Sequence, residues 1–288
     1  MKEIYLKLRQ RARAIVAGLP KPEFYTKFSE EITASENIFA STSVLVEIKK
    51  KIIPMLENDF GHGVLHSVLV CRDAGAIVMI EMQNHLIDRE VKSDFKKKSV
   101  LKTKLDAKVK ADITRKMVLV QIAGLLHDIK RKYTNHALKG AEFAKKFLEK
   151  GYLLSSREID LICNAIRKHE AFQQKTDTEN NQALYNIDDG SDQSLNKNTA
   201  FLLSGALYDA DKFRWGPDNF THTVWDMVIF SDTPFEEFKE RYPLGMEKLA
   251  EIRNTFRTDT GKKYGPEFID LGIKTGEILA EFIQSIST

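Results

Sequence analysis

Apolar residues recur at intervals of three and four positions along most of this chain, and this spacing restricts its fold more than any other feature. Strict alternation of apolar and polar residues, which marks a half-buried strand, extends over no more than a few residues. A period near 3.6 is typical of amphipathic helices that share one core. The pattern therefore predicts an all-α fold. The expected helices cover residues 3–17, 23–35, 43–58 with a break near Pro54, 62–86, 106–127, 136–150, 156–169, 199–213, 219–230, 235–258 and 266–286.

Three local signals mark the ends of predicted helices. Asn135 is a candidate N-cap, and Gly151 is a candidate stop just beyond a helix. Ser155 and Glu158 have the spacing of a capping box. These signals bracket the helices that carry most of the candidate functional residues.

The charge balance narrows the classes of partner. Lys and Arg number 44 against 41 Asp and Glu, and a net charge of +3 is too small for a surface that binds nucleic acid throughout. The chain lacks both an apolar segment near Met1 and a run of 18 apolar residues, which argues against a signal peptide and a membrane span. Cys71 and Cys163 lie in apolar helical patterns and match no redox or metal motif. A cytoplasmic protein is expected.

Two segments depart from the helical pattern. Residues 92–110 contain eight lysines and two aspartates, which favours either a solvated surface or contact with phosphate-rich ligands. Residues 173–198 are rich in polar residues and too long for a simple connection, so they are expected to be either disordered or a mobile lid.

One His-Asp pair follows an apolar run directly. His127 and Asp128 come after Ile122 to Leu126, near the predicted end of a helix. Burying an ionised carboxylate there is costly unless a cation compensates it. A divalent metal supplies that compensation, and a neutral imidazole beside it supplies a nitrogen ligand.

Further histidines and an aspartate also lie near helix ends. His66 opens a long apolar helix, with His62 four residues earlier on the same face. His136 begins a helix, His169 ends one, and Asp211 follows the apolar run 201–207. Side chains at the ends of several helices can converge in a cleft without filling the core.

In order and context these residues resemble the HD-domain superfamily of metal-dependent phosphohydrolases. The motifs are Gly-Leu-Leu-His-Asp-Ile at 124–129, His-x-x-x-Gly-Ala at 136–141, Ala-Ile-x-x-His at 165–169 and Asp-Ala-Asp-Lys at 209–212. The resemblance spans residues 58–215 and implies an HD-type metal-binding helical core. Residues 1–57 are then N-terminal helices packed on that core, and residues 216–288 a C-terminal helical extension of the same body.

The resemblance also implies roles for individual residues. A first divalent ion would be held by His66, His127, Asp128 and Asp211. His136 and His169 resemble the extra histidines of members with two ions, in which Asp128 would bridge. In mononuclear members a histidine at the place of His136 serves acid-base chemistry instead, so Asp128 and His136 are the expected catalytic residues. The metal, one ion or two, is left open among Mn, Fe, Co, Mg and Ni.

Other residues receive lesser roles. His62 is expected to support a ligand or face the substrate, and Asp209 to support the site or cap a helix. Lys212, Lys130 and Arg131 are candidate partners of a substrate phosphate. His85 and His222 match nothing in the family pattern and are expected to be structural or exposed.

The chain departs from the family at the positions after the His-Asp pair. Many members read His-Asp-Ile-Gly-Lys, whereas Lys130 and Arg131 stand here in place of the glycine and lysine. The guanosine-tetraphosphate hydrolase branch carries acidic residues soon after its His-Asp pair, so the basic run 130–132 argues against that branch. The cyclic-dinucleotide phosphodiesterase branch carries Gly, Tyr and Pro in that order. This chain instead reads Tyr264-Gly265-Pro266, which argues against that branch. The substrate within the superfamily stays open.

The leading functional hypothesis is hydrolysis of a small phosphorylated molecule, such as a nucleotide, by metal-activated water. Two alternatives come from other classes: a di-iron oxygenase that uses the same six ligands, and a non-catalytic metal-dependent sensor. The oligomeric state stays open. All three hypotheses require His66 and Asp211 to lie within a coordination shell of the 127–128 pair.

Overall fold

The structure is a computed structural model that describes residues 2–56, 61–91, 107–171 and 193–286. Within these ranges it contains helices and no strand. The α-helices are α1 (Lys2–Ala17), α2 (Glu23–Lys27), α3 (Ser29–Ser41), α4 (Ser43–Ile52), α5 (Val64–Val91), α6 (Ala107–Leu126), α7 (His136–Leu148), α8 (Ser156–Arg167), α9 (Gln193–Phe213), α10 (Val224–Phe230), α11 (Phe235–Ile252) and α12 (Asp259–Ser285). A 3-10 turn covers Ile53–Met55, and a π-helical turn covers Asn219–Thr223. The all-α prediction is confirmed.

The long helices α5 and α6 pack against each other at the centre of the core. From Met117 to Leu126 every side chain of α6 is buried. A helix that is buried on all sides must be covered by neighbours all round. Here α3 and α4 lie against α6, α9 packs on both α5 and α6, and α8 packs on α6 and α9. The end of α6 therefore delivers residues 127 and 128 to a junction between helices.

The first helix packs against the C-terminal part of the chain. Tyr5 of α1 is buried, and its ring meets that of Phe238 edge-on at 5.4 Å between centroids. Its hydroxyl donates a hydrogen bond of 2.8 Å to the carbonyl of Thr233. By contrast, α3 contacts α5 and α6, and α4 contacts α6. The division of the chain into N-terminal helices, a metal-binding core and a C-terminal extension, at residues 57 and 215, stays a prediction.

Several predicted helix boundaries are wrong. The helix expected over 23–35 is two helices, because the backbone leaves helical geometry at Phe28. Its ring instead packs edge-on against Tyr264 at 5.2 Å. The last helix begins at Asp259 and not at Pro266, because the Thr258 side chain caps it by accepting a hydrogen bond from the Gly261 amide. Likewise, α9 begins at Gln193, earlier than expected.

The predicted end signals have mixed outcomes. The capping box of Ser155 and Glu158 is present in both directions. Asn135 does precede α7, but its side chain makes no capping hydrogen bond. The backbone of Asn135 instead adopts a left-handed conformation with a φ of 60°. Gly151 lies two residues beyond Glu149, the C-cap of α7, and has a φ of 122°.

The two unusual segments fall largely outside the described residues. Of the lysine-rich segment 92–110, the structure describes only 107–110, which form the start of α6. Of the polar segment 173–198, it describes only 193–198, which form the start of α9. In the ranges that the structure covers, no helix has the length and apolar character to cross a membrane.

Candidate metal centre

Four predicted ligands meet where α5, α6 and α9 come together. His66 Nε2 lies 3.1 Å from His127 Nε2 and 3.2 Å from Asp211 Oδ1. Asp128 Oδ2 lies 3.3 Å from His127 Nε2 and 3.7 Å from His66 Nε2. An ion bonded to nitrogen and oxygen at about 2.0–2.2 Å keeps neighbouring ligand atoms roughly 3.0–3.6 Å apart. These four side chains, the first ligand cluster, therefore have near-coordination spacing.

Three side chains form a second ligand cluster on the other side of Asp128. His136 Nε2 and His169 Nε2 lie 3.3 and 3.4 Å from Asp128 Oδ1, and 3.3 Å from each other. His136 opens α7 and His169 follows the end of α8, so the cluster lies at a helix junction too. Asp128 thus offers one carboxylate oxygen to each cluster, which is the geometry of a bridging ligand.

The clusters meet the chemical requirements of a cation site. His127, Asp128 and His169 are buried. Asp128 Oδ1 is also buried, and no group among the described residues donates a well-oriented hydrogen bond to it. A buried carboxylate oxygen without such a donor is costly unless a cation lies beside it. Imidazole nitrogens and carboxylate oxygens are ligands for divalent zinc, iron, manganese and cobalt. The residues present therefore fit a divalent metal.

Three of the histidines are held in the tautomer that metal binding requires. His127 Nδ1 donates to the carbonyl of Gly124 at 2.8 Å, and His169 Nδ1 donates to the carbonyl of Ile166 at 2.6 Å. A carbonyl can only accept, so the ring proton is on Nδ1 and the Nε2 lone pair faces the clusters. His136 Nδ1 lies 2.7 Å from Glu170 Oε1 and is oriented in the same way.

Sequence analysis missed Glu170. The signal was present, since Glu170 directly follows the predicted ligand His169. Its partner, however, is His136 on another helix. Only the tertiary arrangement of α7 and α8 shows this contact.

The electrostatics of the site favour charged carboxylates. Burial alone would raise the pKa of Asp128, but the neighbouring His127 holds it well below its usual range. Lys212 and His66 likewise hold the pKa of Asp211 low against the effect of burial. Metal ligands must be deprotonated, so these carboxylates are ready to bind a cation.

The imidazoles divide into two groups. Burial lowers the pKa of His62 to about 3 and also lowers that of His169, so both rings are neutral near pH 7. Burial and the Arg131 guanidinium act to lower the pKa of His136, whereas the carboxylates of Asp128 and Glu170 raise it, and the net direction is upward.

Lys212 contacts a predicted metal ligand. Its ammonium is buried 2.6 Å from Asp211 Oδ2, while Asp211 Oδ1 faces the first ligand cluster. The same ammonium lies 5.1 Å from the centre of the Tyr208 ring. Lys212 therefore orients a predicted ligand, and its expected contact with substrate stays a prediction.

A pocket of about 460 Å³ opens beside Asp128. Its wall contains three consecutive cations and two apolar side chains at the end of the 3-10 turn and just beyond it. The lining residues are Met55, Leu56, His62, Asp128, Ile129, Lys130, Arg131, Lys132 and Tyr133. His62 Nε2 lies 4.0 Å from Asp128 Oδ2. His62, Lys130 and Arg131 thus line one pocket beside Asp128, and their expected contact with substrate stays a prediction.

Asp209 lies outside the site, although it is only two residues from Asp211. Its carboxylate accepts hydrogen bonds of 2.8 Å from the amides of Arg257 and Thr258, and one of 2.7 Å from the Thr258 hydroxyl. Asp209 therefore holds the start of α12, which agrees with the capping role among its two expected roles.

His85 and His222 also lie apart from the ligand clusters. His85 lines a separate cavity between α5, α6, α9 and the start of α12. His222 Nδ1 is 2.8 Å from the Thr221 hydroxyl in the π-helical turn. Neither residue contributes to the metal centre.

We expect Asp209→Ala to destabilise the fold while leaving the metal centre in place. Removing the carboxylate leaves the buried Thr258 donors without their acceptor, at a cost of about 2–3 kcal/mol in the free energy of unfolding. Urea denaturation of the metal-free protein measures this cost. Asp259→Ala is the control at the same helix start, since its side chain is 90% exposed. Equal stability of the two variants would contradict the capping role.

Residues 101–215 match the family model of the HD domain. The chain therefore contains an HD domain, and proteins of this superfamily are commonly metal-dependent hydrolases. The matched range includes every predicted ligand except His66, which α5 supplies from outside it. No curated protein and no solved structure matches the chain significantly.

Proposed function

We propose that this protein is a metal-dependent phosphohydrolase or phosphodiesterase that acts on a small phosphorylated molecule, such as a nucleotide. The observation that carries the proposal is the position of the pocket. It opens onto Asp128, shared by both ligand clusters, and three consecutive cations line its wall. An anionic substrate is attracted to such a wall and reaches the ligand clusters from it.

The proposed ligands are the six side chains of the two clusters. His66, His127, Asp128 and Asp211 would hold a first ion, and Asp128, His136 and His169 a second. A bound divalent ion supplies Lewis-acid stabilisation of phosphoryl oxygens and lowers the pKa of water. Mn²⁺, Fe²⁺, Co²⁺, Mg²⁺ and Ni²⁺ are the candidates, because nitrogen and carboxylate ligands bind all of them.

Several of the chain's own side chains would bind and orient the substrate. Arg131, one-third exposed, can offer two parallel donors to a phosphate. The Lys130 ammonium lies 4.9 Å from the centre of the Phe143 ring, which restrains it at the pocket wall. His62 is neutral near pH 7, so its imidazole can accept a hydrogen bond from water at one nitrogen and donate its N–H to a substrate oxygen at the other.

The test is hydrolysis by purified protein reloaded with each candidate metal. We expect metal-dependent release of phosphate or nitrophenol from generic phosphate esters, abolished by a chelator. Lys130→Ala/Lys132→Ala should raise KM about tenfold with a smaller change in kcat, since the pocket cations mainly bind substrate charge. Lys150→Ala, an exposed lysine beyond α7, is the matched control. Inactivity across a nucleotide library with every metal would overturn the proposal.

A second candidate function is a di-iron oxygenase. The bridging position of Asp128 and the two histidines of the second ligand cluster favour it, since they provide for a second ion. Oxygen consumption by iron-loaded protein would support this function. Hydrolysis with redox-inert Mg²⁺ would exclude it in favour of the phosphohydrolase. Hydrolysis that Asp128→Ala abolishes would likewise exclude a purely sensory role.

A cytoplasmic location remains part of the proposal. The thiols of Cys71 and Cys163 are both free and buried, which fits a reducing compartment.

A further inference from the structure

Arg131 contacts the second ligand cluster directly. Its Nη1 lies 2.9 Å from His136 Nε2 and 3.9 Å from Asp128 Oδ1. These are two of the three atoms proposed to bind the second ion. The guanidinium is permanently charged, so it can satisfy the buried Asp128 oxygen electrostatically, as a metal ion would.

We propose that Arg131 is an intramolecular competitor for the second ion. The protein then holds one ion tightly in the first ligand cluster, and takes a second only when the Arg131 side chain moves away. This inference rests on the proposed metal centre and adds what controls its occupancy.

The two clusters differ in how a neighbouring cation contacts them. Lys212 bonds Asp211 Oδ2, the oxygen that faces away from the first ligand cluster, so it orients the ligand and leaves Oδ1 accessible. Arg131 bonds His136 Nε2 itself, the nitrogen whose lone pair an ion requires. One cation therefore supports metal binding, whereas the other opposes it.

Displacing Arg131 requires little rearrangement. Its side chain is 33% exposed and lines the pocket, so it can turn into solvent without a change in the backbone. Glu170 continues to hold His136 Nδ1 at 2.7 Å when Arg131 leaves. The second ligand cluster is thus preformed, and the competition is confined to one flexible side chain.

The test measures metal content and not activity. Chelator-stripped wild type and Arg131→Ala are titrated with Mn²⁺ by calorimetry, and retained metal is counted by elemental analysis after desalting. We expect wild type to retain one ion and Arg131→Ala two, with the second site at least about tenfold tighter, or ~1.4 kcal/mol. Arg131→Gln should give the same direction of change, because its uncharged amide cannot replace the guanidinium.

Lys130→Ala is the matched control. It removes one positive charge from the adjacent position, where the ammonium packs on Phe143 and not on a ligand atom. We expect this variant to retain one ion, as wild type does. An equal gain in Lys130→Ala and Arg131→Ala would overturn the proposal, because general charge repulsion would then explain it.

Three other results would also overturn the inference: two equally tight ions in wild type, unchanged binding in Arg131→Ala and Arg131→Gln, or no Mn²⁺ binding by any variant. Adding His169→Ala to Arg131→Ala should remove the gained ion; retention would place that ion elsewhere. A gained second ion without hydrolysis of any ester would leave this inference standing and remove the proposed function.

Discussion

Asp128→Ala should abolish metal retention and lower hydrolysis by roughly 1,000-fold or more, the equivalent of about 4 kcal/mol of transition-state stabilisation. Asp128 offers one carboxylate oxygen to each ligand cluster, with Oδ2 3.3 Å from His127 Nε2 and Oδ1 3.3 Å from His136 Nε2. Its removal also takes away the negative charge that five buried or half-buried imidazoles surround. Elemental analysis and steady-state kinetics with a generic phosphate ester measure the two losses.

His169→Ala provides the comparison that tests bridging. His169 belongs to the second ligand cluster alone, so this variant should keep the ion of the first cluster and lose only the weaker site. Asp128→Asn, which keeps the shape but not the charge, should resemble Asp128→Ala. If Asp128→Ala retained one tightly bound ion, the carboxylate would not be a shared ligand.

The sequence was sufficient to predict the helical fold and the convergence of six side chains. Both follow from patterns that short stretches carry: the three- and four-residue apolar spacing, and polar ligands placed just beyond apolar helices. The small residues of α7 illustrate this. Gly140 lies so close to the end of α6 that a β-carbon there would be 3.1 Å from the His127 carbonyl. The close approach of α7 that brings His136 to the site therefore depends on a residue visible in the sequence.

Helical geometry explains why Asp209 and Asp211 have different roles. Residues two apart on an α-helix point about 200° apart, so both cannot face one ion. Asp211 faces the first ligand cluster, and Asp209 faces Thr258 at the start of α12. The sequence shows that the two differ in direction, but not which of them faces the site, because that depends on how α9 is rotated against its neighbours.

The cations around the site could not be assigned from the sequence. Lys212, Arg131 and Lys130 are long side chains whose ends can reach several partners, and tertiary contacts select among them. One binds Asp211, one binds His136 and one packs on Phe143. The identity of each partner decides whether the charge orients a ligand, competes with an ion or attracts substrate.

A buried ionic network links α2 and α5 to Arg214, the residue that follows α9. Arg214 is 4% exposed and donates hydrogen bonds to Asp73, Asp218 and the Tyr25 hydroxyl. Asp73 is fully buried and also accepts from Tyr25 at 2.8 Å and from Arg72 at 2.7 Å. Arg214 is thus a structural residue.

Arg214→Met should lower the free energy of unfolding by about 3–5 kcal/mol, because it leaves the buried Asp73 carboxylate without its main cation. For a chain of this size the melting temperature should fall by roughly 10 °C. Thermal and urea denaturation of the metal-free protein measure the change. Arg253→Met is the matched control: Arg253 pairs with Asp270 at 2.7 Å, but the two side chains are 46% and 50% exposed. We expect the free energy of unfolding of this control to fall by less than about 1 kcal/mol.

A double variant separates the lost ion pair from lost packing. Asp73→Asn removes the charge that Arg214→Met leaves uncompensated, so the two substitutions together should cost less than the sum of their separate effects. Strict additivity would show that Arg214 acts through the packing of its aliphatic stem and not through Asp73. An effect no larger than that of Arg253→Met would mean that burial does not amplify this interaction, and the network would not be what joins α2 and α5 to the end of α9.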